Sequence, residues 1–260
     1  MGKQPKILIL DVETAPILAA VWKLWDNSVG LNMIQEDWFI MSFAAKWMGS
    51  DDVIYRDCRK SYEDDRQLLV ELHMLLSEAD FVVAHNGDKF DIKKINARLI
   101  MNGFPPPAPY KTIDTLKIAK KHFAFTSNKL EYLTGELCED KKLSHSKFPG
   151  YNLWRECLLG NKEAWEEMKE YNIMDVISLE ELYIKLRPWY SVHPLVFTPE
   201  EPEDYICPKC GGTHVQKRGS YVSKTGIKYQ RFQCQSCFGW GKGRYAQGDR
   251  EQKELMPTSL

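Results

Sequence analysis

The sequence predicts a mixed α/β domain followed by a small metal-stapled module. Three observations predict it. Short apolar runs bounded by turn residues dominate the first 116 positions. Helical periodicity takes over after them. Two Cys-x-x-Cys pairs close the chain between residues 205 and 248.

The elements follow in order. Lys6 to Leu10 is a short apolar run ending at Asp11 and reads as a buried first strand. Phe39 to Trp47 and Val53 to Asp57 read as two more strands, joined by the turn-like Met48-Gly49-Ser50-Asp51-Asp52. Glu63 to Ser77 carries Leu68, Leu69, Leu72, Leu75 and Leu76 at helical spacing. Phe81 to Ala84 is a fourth strand. Ile92 to Met101 is a helix closed by Asn102-Gly103 and the prolines at 105–107. Thr112 to Leu116 reads as the last strand of this domain. Helices then predominate, interrupted by a loop from Lys141 to Gly150, and Glu163 to Leu186 is one long helix or two abutting ones. The expected organisation is a main domain at 1–192, a proline-rich acidic linker at 193–204, a module at 205–248 and a polar tail at 249–260.

Composition narrows the function. A 43 % hydrophobic content supports a real core. No apolar run is long enough to span a bilayer and no signal peptide is visible, so a cytoplasmic protein without a membrane partner is expected. The net charge of −1 conceals an asymmetry: eight of the 35 basic residues and none of the 36 acidic ones fall between Tyr205 and Gly248. The remainder therefore holds 27 basic against 36 acidic residues, a balance of −9. A basic module on an acidic body points to a polyanionic partner.

Acidic residues recur where strands and helices meet. Asp11 and Glu13 are two apart on a strand and so share one face. They follow an apolar run, at the strand end where α/β folds place ligands. Paired carboxylates repel unless protonated or metal-bound, and hard oxygens suit Mg²⁺ or Mn²⁺; ordinary acidic residues at a surface strand end are the alternative. Asp91 stands in the first turn of the helix after Phe81 to Ala84, where Asp also serves the helix dipole. Asp88 is the better candidate for a plain N-cap. Tyr171 and Asp175 are four apart and stack on one helix face, either at a site or as a half-buried Tyr beside a solvated Asp.

The order Asp-x-Glu, Asn-Gly-x-x-Phe-Asp, Tyr-x-x-x-Asp resembles the three motifs of the DEDD exonuclease superfamily in its Tyr-type branch. The residues carrying it are Asp11, Glu13, Asn86, Phe90, Asp91, Tyr171 and Asp175. The wording of the first two motifs is similar to exonuclease domains of B-family DNA polymerases and free-standing, often phage-encoded relatives. The resemblance covers roughly residues 6 to 190. The His-type branch needs His five positions before the last Asp, where this chain has Glu170. It implies an RNase H-like mixed sheet flanked by helices. It also implies two Mg²⁺ or Mn²⁺ ions on Asp11, Glu13, Asp91 and Asp175, about 3.5–4 Å apart. Tyr171 would orient the attacking water, and Asn86 and Phe90 would contact the substrate. Asp114 would be a supporting acid rather than a ligand. The activity implied is 3′→5′ hydrolysis of DNA, single strands preferred, by the chain alone or with a separate polymerase or replication protein. An exoribonuclease, a structure-specific endonuclease and a non-catalytic nucleic-acid adaptor remain open.

Cys207, Cys210, Cys234 and Cys237 form two knuckles separated by 23 residues. That pattern signals one structural Zn²⁺ in a fold that resembles a zinc ribbon, with His214 as a substitute ligand. Val215 to Gly219 and Tyr229 to Gln233 read as its hairpin. Aromatic residues interleaved with the eight cations suit nucleic-acid binding, although they could instead form the ribbon's small core.

Overall fold

The computed structural model describes residues 5–23, 25, 28–60, 64–139, 147–190 and 205–248. The expected linker and polar tail lie outside the described residues, as does most of the loop from Lys141. The chain divides into two compact units, one spanning Lys6–Lys185 and the other Leu186–Leu260 with the first five residues.

The larger unit is built on a five-stranded mixed sheet. Its strands are β1 (Ile7–Thr14), β4 (Ile40–Trp47), β5 (Val53–Asp57), β6 (Phe81–Ala84) and β7 (Lys111–Asp114), in the order β5-β4-β1-β6-β7. β1 is antiparallel to β4 and parallel to β6. Ile7, Leu8, Ile9 and Leu10 are all buried, the continuous apolar run of a strand covered on both faces. Two short strands outside this sheet, β2 (Leu18–Ala19) and β3 (Ile34–Glu36), pair with each other.

Helices α1 (Arg66–Glu78), α2 (Asp91–Met101), α3 (Thr115–His122), α4 (Leu130–Leu137), α5 (Asn152–Leu158) and α6 (Lys162–Leu186) accompany the sheet. In α1 the leucines at 68, 69, 72, 75 and 76 are buried, as their spacing predicts. Truncating one, such as the fully buried Leu72, costs about 2–5 kcal/mol. Beyond α2 the chain turns at Gly103, whose φ of +75° is left-handed and favours glycine. A buried bidentate ion pair locks α1 and α2 to β4: Arg98 donates to both oxygens of Asp65 at 2.7 Å, and Asp65 also accepts from Ile40 N at 3.0 Å.

Helix α6 is a single helix. Ala164, Trp165, Met168, Tyr171, Asn172, Asp175, Val176, Leu179, Leu182, Tyr183 and Leu186 are buried along it, at the 3–4-residue spacing of one inward stripe. Tyr171, Asn172 and Asp175 are polar members of that stripe. Glu180, also buried, pairs with Lys46 of β4 and accepts from Gly49 N at 2.7 Å.

Two sequence expectations need correction. Thr112 to Leu116 is not wholly strand: β7 ends at Asp114, whose side chain accepts from Leu116 N and Lys117 N and starts α3. Asp88 does not cap α2. That helix begins at Asp91 without a side-chain cap, and Asp88 pairs with Lys117 at 2.5 Å.

The smaller unit contains a three-stranded antiparallel sheet of β8 (Val215–Val222), β9 (Lys228–Cys234) and β10 (Trp240–Ala246), with β9 in the centre. The expected hairpin is present, longer than anticipated, and β10 adds a third strand. Among the described residues no helix is long and apolar enough to cross a membrane.

Candidate active site

β1, which runs on to Thr14, carries Asp11 and Glu13 near its C-terminal end. The inward residues Leu10 and Val12 alternate with them, so the two carboxylates leave the same face. Across the sheet Asp11 pairs with Ala44 and Glu13 with Ser42. α6 brings Asp175 to the pair, and one ligand oxygen from each of Asp11, Glu13 and Asp175 lies within 4.8 Å of the others. Three converging carboxylates form a donor set fitted to a hard divalent cation.

Asp91, the first residue of α2, is 3 % exposed and lies outside that three-membered cluster. Its Oδ1 accepts from Val12 N at 3.1 Å, which fixes it to the backbone between Asp11 and Glu13. Burial raises its carboxyl from 3.8 to about 7, opposed by the hydrogen bonds and reinforced by the charge of Asp114. A divalent cation alongside would favour the ionised form.

Two residues that motif reading passed over hold the carboxylates in place. Asn172 Nδ2 donates to Asp11 Oδ2 at 2.6 Å, and its Oδ1 accepts from Ser42 Oγ at 3.1 Å. Asn172 and Ser42 are both fully buried. Trp154 of α5 donates its indole N–H to Glu13 Oε2 at 3.1 Å. Its ring meets Tyr171 edge-on, with centroids 6.2 Å apart. Asn172 had a signal, being a polar residue in the apolar stripe of α6. Trp154 had none, since its short helix follows a loop and shows no motif.

Tyr171 is buried one helical turn before Asp175. Burial first, then the charges of Asp175, Glu13 and Asp11, hold its phenol well above its ordinary value. It is therefore a neutral hydroxyl at physiological pH.

The turn from β6 to α2 carries the remaining predicted residues. Asn86 takes a left-handed φ of +67°, and its N–H donates to Asp114 Oδ1 at 3.0 Å. At Gly87 a Cβ would stand 2.4 Å from Ala84 Cβ, so only glycine fits. His85 bridges Thr115 Oγ1 and Asn128 O at 2.9 and 3.0 Å. Asp114 thus supports the turn as well as capping α3. Phe90 is 38 % exposed, with Lys94 Nζ 5.8 Å from its ring centroid.

In the smaller unit the four cysteine sulfurs lie within 4.8 Å of one another, and His214 is outside that group. Cys207 and Cys237 are 3.7 Å apart, Cys210 and Cys234 3.6 Å. A tetrahedron with Zn–S bonds of about 2.3 Å has edges of about 3.8 Å, so the cluster has the size zinc requires. Amides of Lys209, Gly212 and Ser236 donate to Cys207, Cys210 and Cys234 at 3.4 Å each, which favours thiolates. Without metal, burial raises the Cys207 thiol and pushes that of Cys210 up to about 12, whereas at Cys234 burial is outweighed by the Cys237 and Ser236 amides together with the Cys210 and Cys207 side chains, which bring it down to about 7.

Fold and carboxylate cluster together define a mixed-sheet domain flanked by helices, with three acids placed so that they could hold a divalent metal. A family model described as the RNase_H superfamily matches residues 30–187, and the chain belongs to that superfamily. The matched segment begins after β1 and so excludes Asp11 and Glu13. Among solved structures, the family B DNA polymerase from the hyperthermophilic archaeon Pyrobaculum calidifontis is similar. It shows a TM-score of 0.51 and 12 % identity over 72 % of this chain and 26 % of the polymerase. The likeness is one of fold, and this chain spans about a quarter of the polymerase's length. No curated protein matches the sequence.

Proposed function

We propose that this chain is a metal-dependent 3′→5′ exonuclease that removes nucleotides from the 3′ end of DNA, single strands preferred. The observation that carries this reading is the convergence of Asp11, Glu13 and Asp175, with Tyr171 one turn away on the same helix face. Asp11, Glu13, Asp175 and the adjoining Asp91 would hold two Mg²⁺ or Mn²⁺. When bound, such ions acidify a water and neutralise charge developing at the scissile phosphate.

The chain's own groups have distinct tasks. Asn172 and Trp154 fix one carboxylate oxygen each of Asp11 and Glu13. Tyr171, kept neutral, orients the attacking water by hydrogen bonding and does not remove its proton. Asn86, held by Asp114, reaches the substrate backbone, and Phe90 packs against the terminal base. One Zn²⁺ on Cys207, Cys210, Cys234 and Cys237 orders the basic ribbon, which adds grip on the strand. The likeness to a DNA polymerase supports DNA as substrate.

One gel tests this. Single-stranded DNA with a free or a blocked 3′ end, duplex DNA and RNA, each 5′-labelled, are incubated with Mn²⁺ and either wild type or Asp11→Ala. The expected result is a ladder shortening from the 3′ end, strongest on single-stranded DNA and absent with Asp11→Ala. Internal cuts in a 3′-blocked strand would make the protein an endonuclease, and shortening of RNA alone an exoribonuclease. Intact substrate in every lane would end the nuclease reading.

A further inference from the structure

The ribbon's sheet does not use all its aromatic residues as core. Cross-strand pairing places Tyr221 opposite Tyr229 and Lys242 opposite Arg231. Alternation puts Trp240 on the same side as Lys242. A groove of about 410 Å³ runs over this face, lined by Pro208, Lys209, Tyr221, Arg231, Trp240 and Lys242. Its volume falls within the range of about 300–1,000 Å³ usual for small-ligand clefts, which suits a nucleotide and not a folded element. Trp240 is 48 % exposed and Tyr221 41 %, so packing does not account for them. Phe232 belongs to the opposite face, where its ring lies tilted against Tyr205 with centroids 4.6 Å apart.

The cations in the groove are already oriented by the rings. The Arg231 guanidinium sits 5.0 Å from the Trp240 ring centroid, and Lys242 Nζ sits 4.3 Å from Tyr229 and 5.3 Å from Tyr221. From 205 to 248 the module carries no carboxylate side chain to neutralise them. An exposed indole flanked by cations that pair with no carboxylate among the described residues offers two chemistries at once: a flat apolar surface for a base and positive charge for the phosphates beside it.

We infer that this groove is a single-strand docking site in which Trp240 stacks one nucleobase while Arg231 and Lys242 hold the flanking phosphates. The inference rests on the reading of the ribbon as a nucleic-acid module and supplies the residues that would do the binding. An acidic peptide would satisfy the cations but leave the exposed indole unused, so the single strand is the better match.

The test uses the full chain carrying Asp11→Ala, without added divalent metal and without chelator, so that substrate survives and zinc stays. Fluorescein-labelled dT20 and an abasic backbone of equal length are titrated by anisotropy. dT20 should bind more tightly than the abasic strand. Trp240→Ala should weaken dT20 by about 5- to 150-fold, the span of 1–3 kcal/mol per stacked base, and barely change the abasic strand. Trp240→Phe should recover most of the affinity. Arg231→Gln should flatten the salt dependence of dT20 binding by about 0.7 in log–log slope. Zinc content near one per chain certifies each variant as folded. Unchanged dT20 affinity in Trp240→Ala overturns the groove while leaving the nuclease reading intact. So does displacement of dT20 by a 20-residue polyglutamate at matching concentration. Failure of the parent protein to bind any oligonucleotide overturns the ribbon reading itself.

Discussion

Asn172→Ala is the most revealing single perturbation of the carboxylate cluster, because Asn172 touches one of its acids without being one. The substitution removes the 2.6 Å hydrogen bond to Asp11 Oδ2 and the 3.1 Å bond from Ser42 Oγ. A hydrogen bond to a charged group contributes about 1.5–3 kcal/mol, and stranding a buried hydroxyl costs about 1–3 kcal/mol. Relaxation of Asp11 in the absence of metal offsets part of this, so a stability loss of about 2–4 kcal/mol is expected from urea unfolding. The functional effect should be separable. Loss of a group orienting a metal ligand typically lowers metal affinity 10–100-fold, so the Mn²⁺ concentration for half-maximal nuclease rate should rise by that factor while the rate at saturating Mn²⁺ recovers much of the wild-type value. An unchanged Mn²⁺ midpoint, whatever the stability, would falsify the claim that Asn172 positions Asp11.

Other outcomes follow from the same geometry. In metal-free protein the raised Asp91 carboxyl favours the fold when protonated, so its contribution is fully present below pH 3.8 and lost as pH rises towards about 7. The total is on the order of 4 kcal/mol; urea midpoints from pH 4.5 to 8 should fall accordingly, and an equal fall in Asp91→Asn would refute the assignment. Glu180→Ala strands the buried Lys46 ammonium and the Gly49 amide. Thermal unfolding should register a loss of about 3–5 kcal/mol, largely restored by adding Lys46→Met. Tyr171→Phe deletes the hydroxyl proposed to orient the water and should slow the saturated rate about 2- to 10-fold, and a loss above a thousandfold would indicate a larger role in proton transfer.

Much of the fold was legible because its strands are apolar runs between turn residues. The boundaries failed where hydropathy and backbone pairing part company. The apolar run of β1 ends at Leu10, yet its ladder with β4 continues to Thr14, since backbone hydrogen bonds do not depend on side-chain polarity. β10 went unread because Trp-Gly-Lys-Gly-Arg-Tyr-Ala has no buried face to impose alternation. β2 and β3 are too short to leave a periodic trace. At the site, motif spacing identified Asp11, Glu13 and Asp175, which the fold assembles over more than 160 positions of sequence. It could not identify Trp154, whose contact with Glu13 spans 141 positions and depends on where a loop returns the chain.

Asp11 and Glu13 lie on β1, which pairs with β6 over Ile7–Ile9 and with β4 from Leu8 to Thr14. A strand at the rim of a sheet can peel or bend to let two negative charges separate, but β1 cannot do so without breaking a neighbouring ladder. Asn172 and Trp154 each donate to one oxygen of these acids, and a bound cation would relieve the repulsion that remains. Occupancy by cations would be felt along the sheet as protection of β1 amides from hydrogen exchange. The strand that hosts the chemistry is thereby also the gauge of whether the site is loaded.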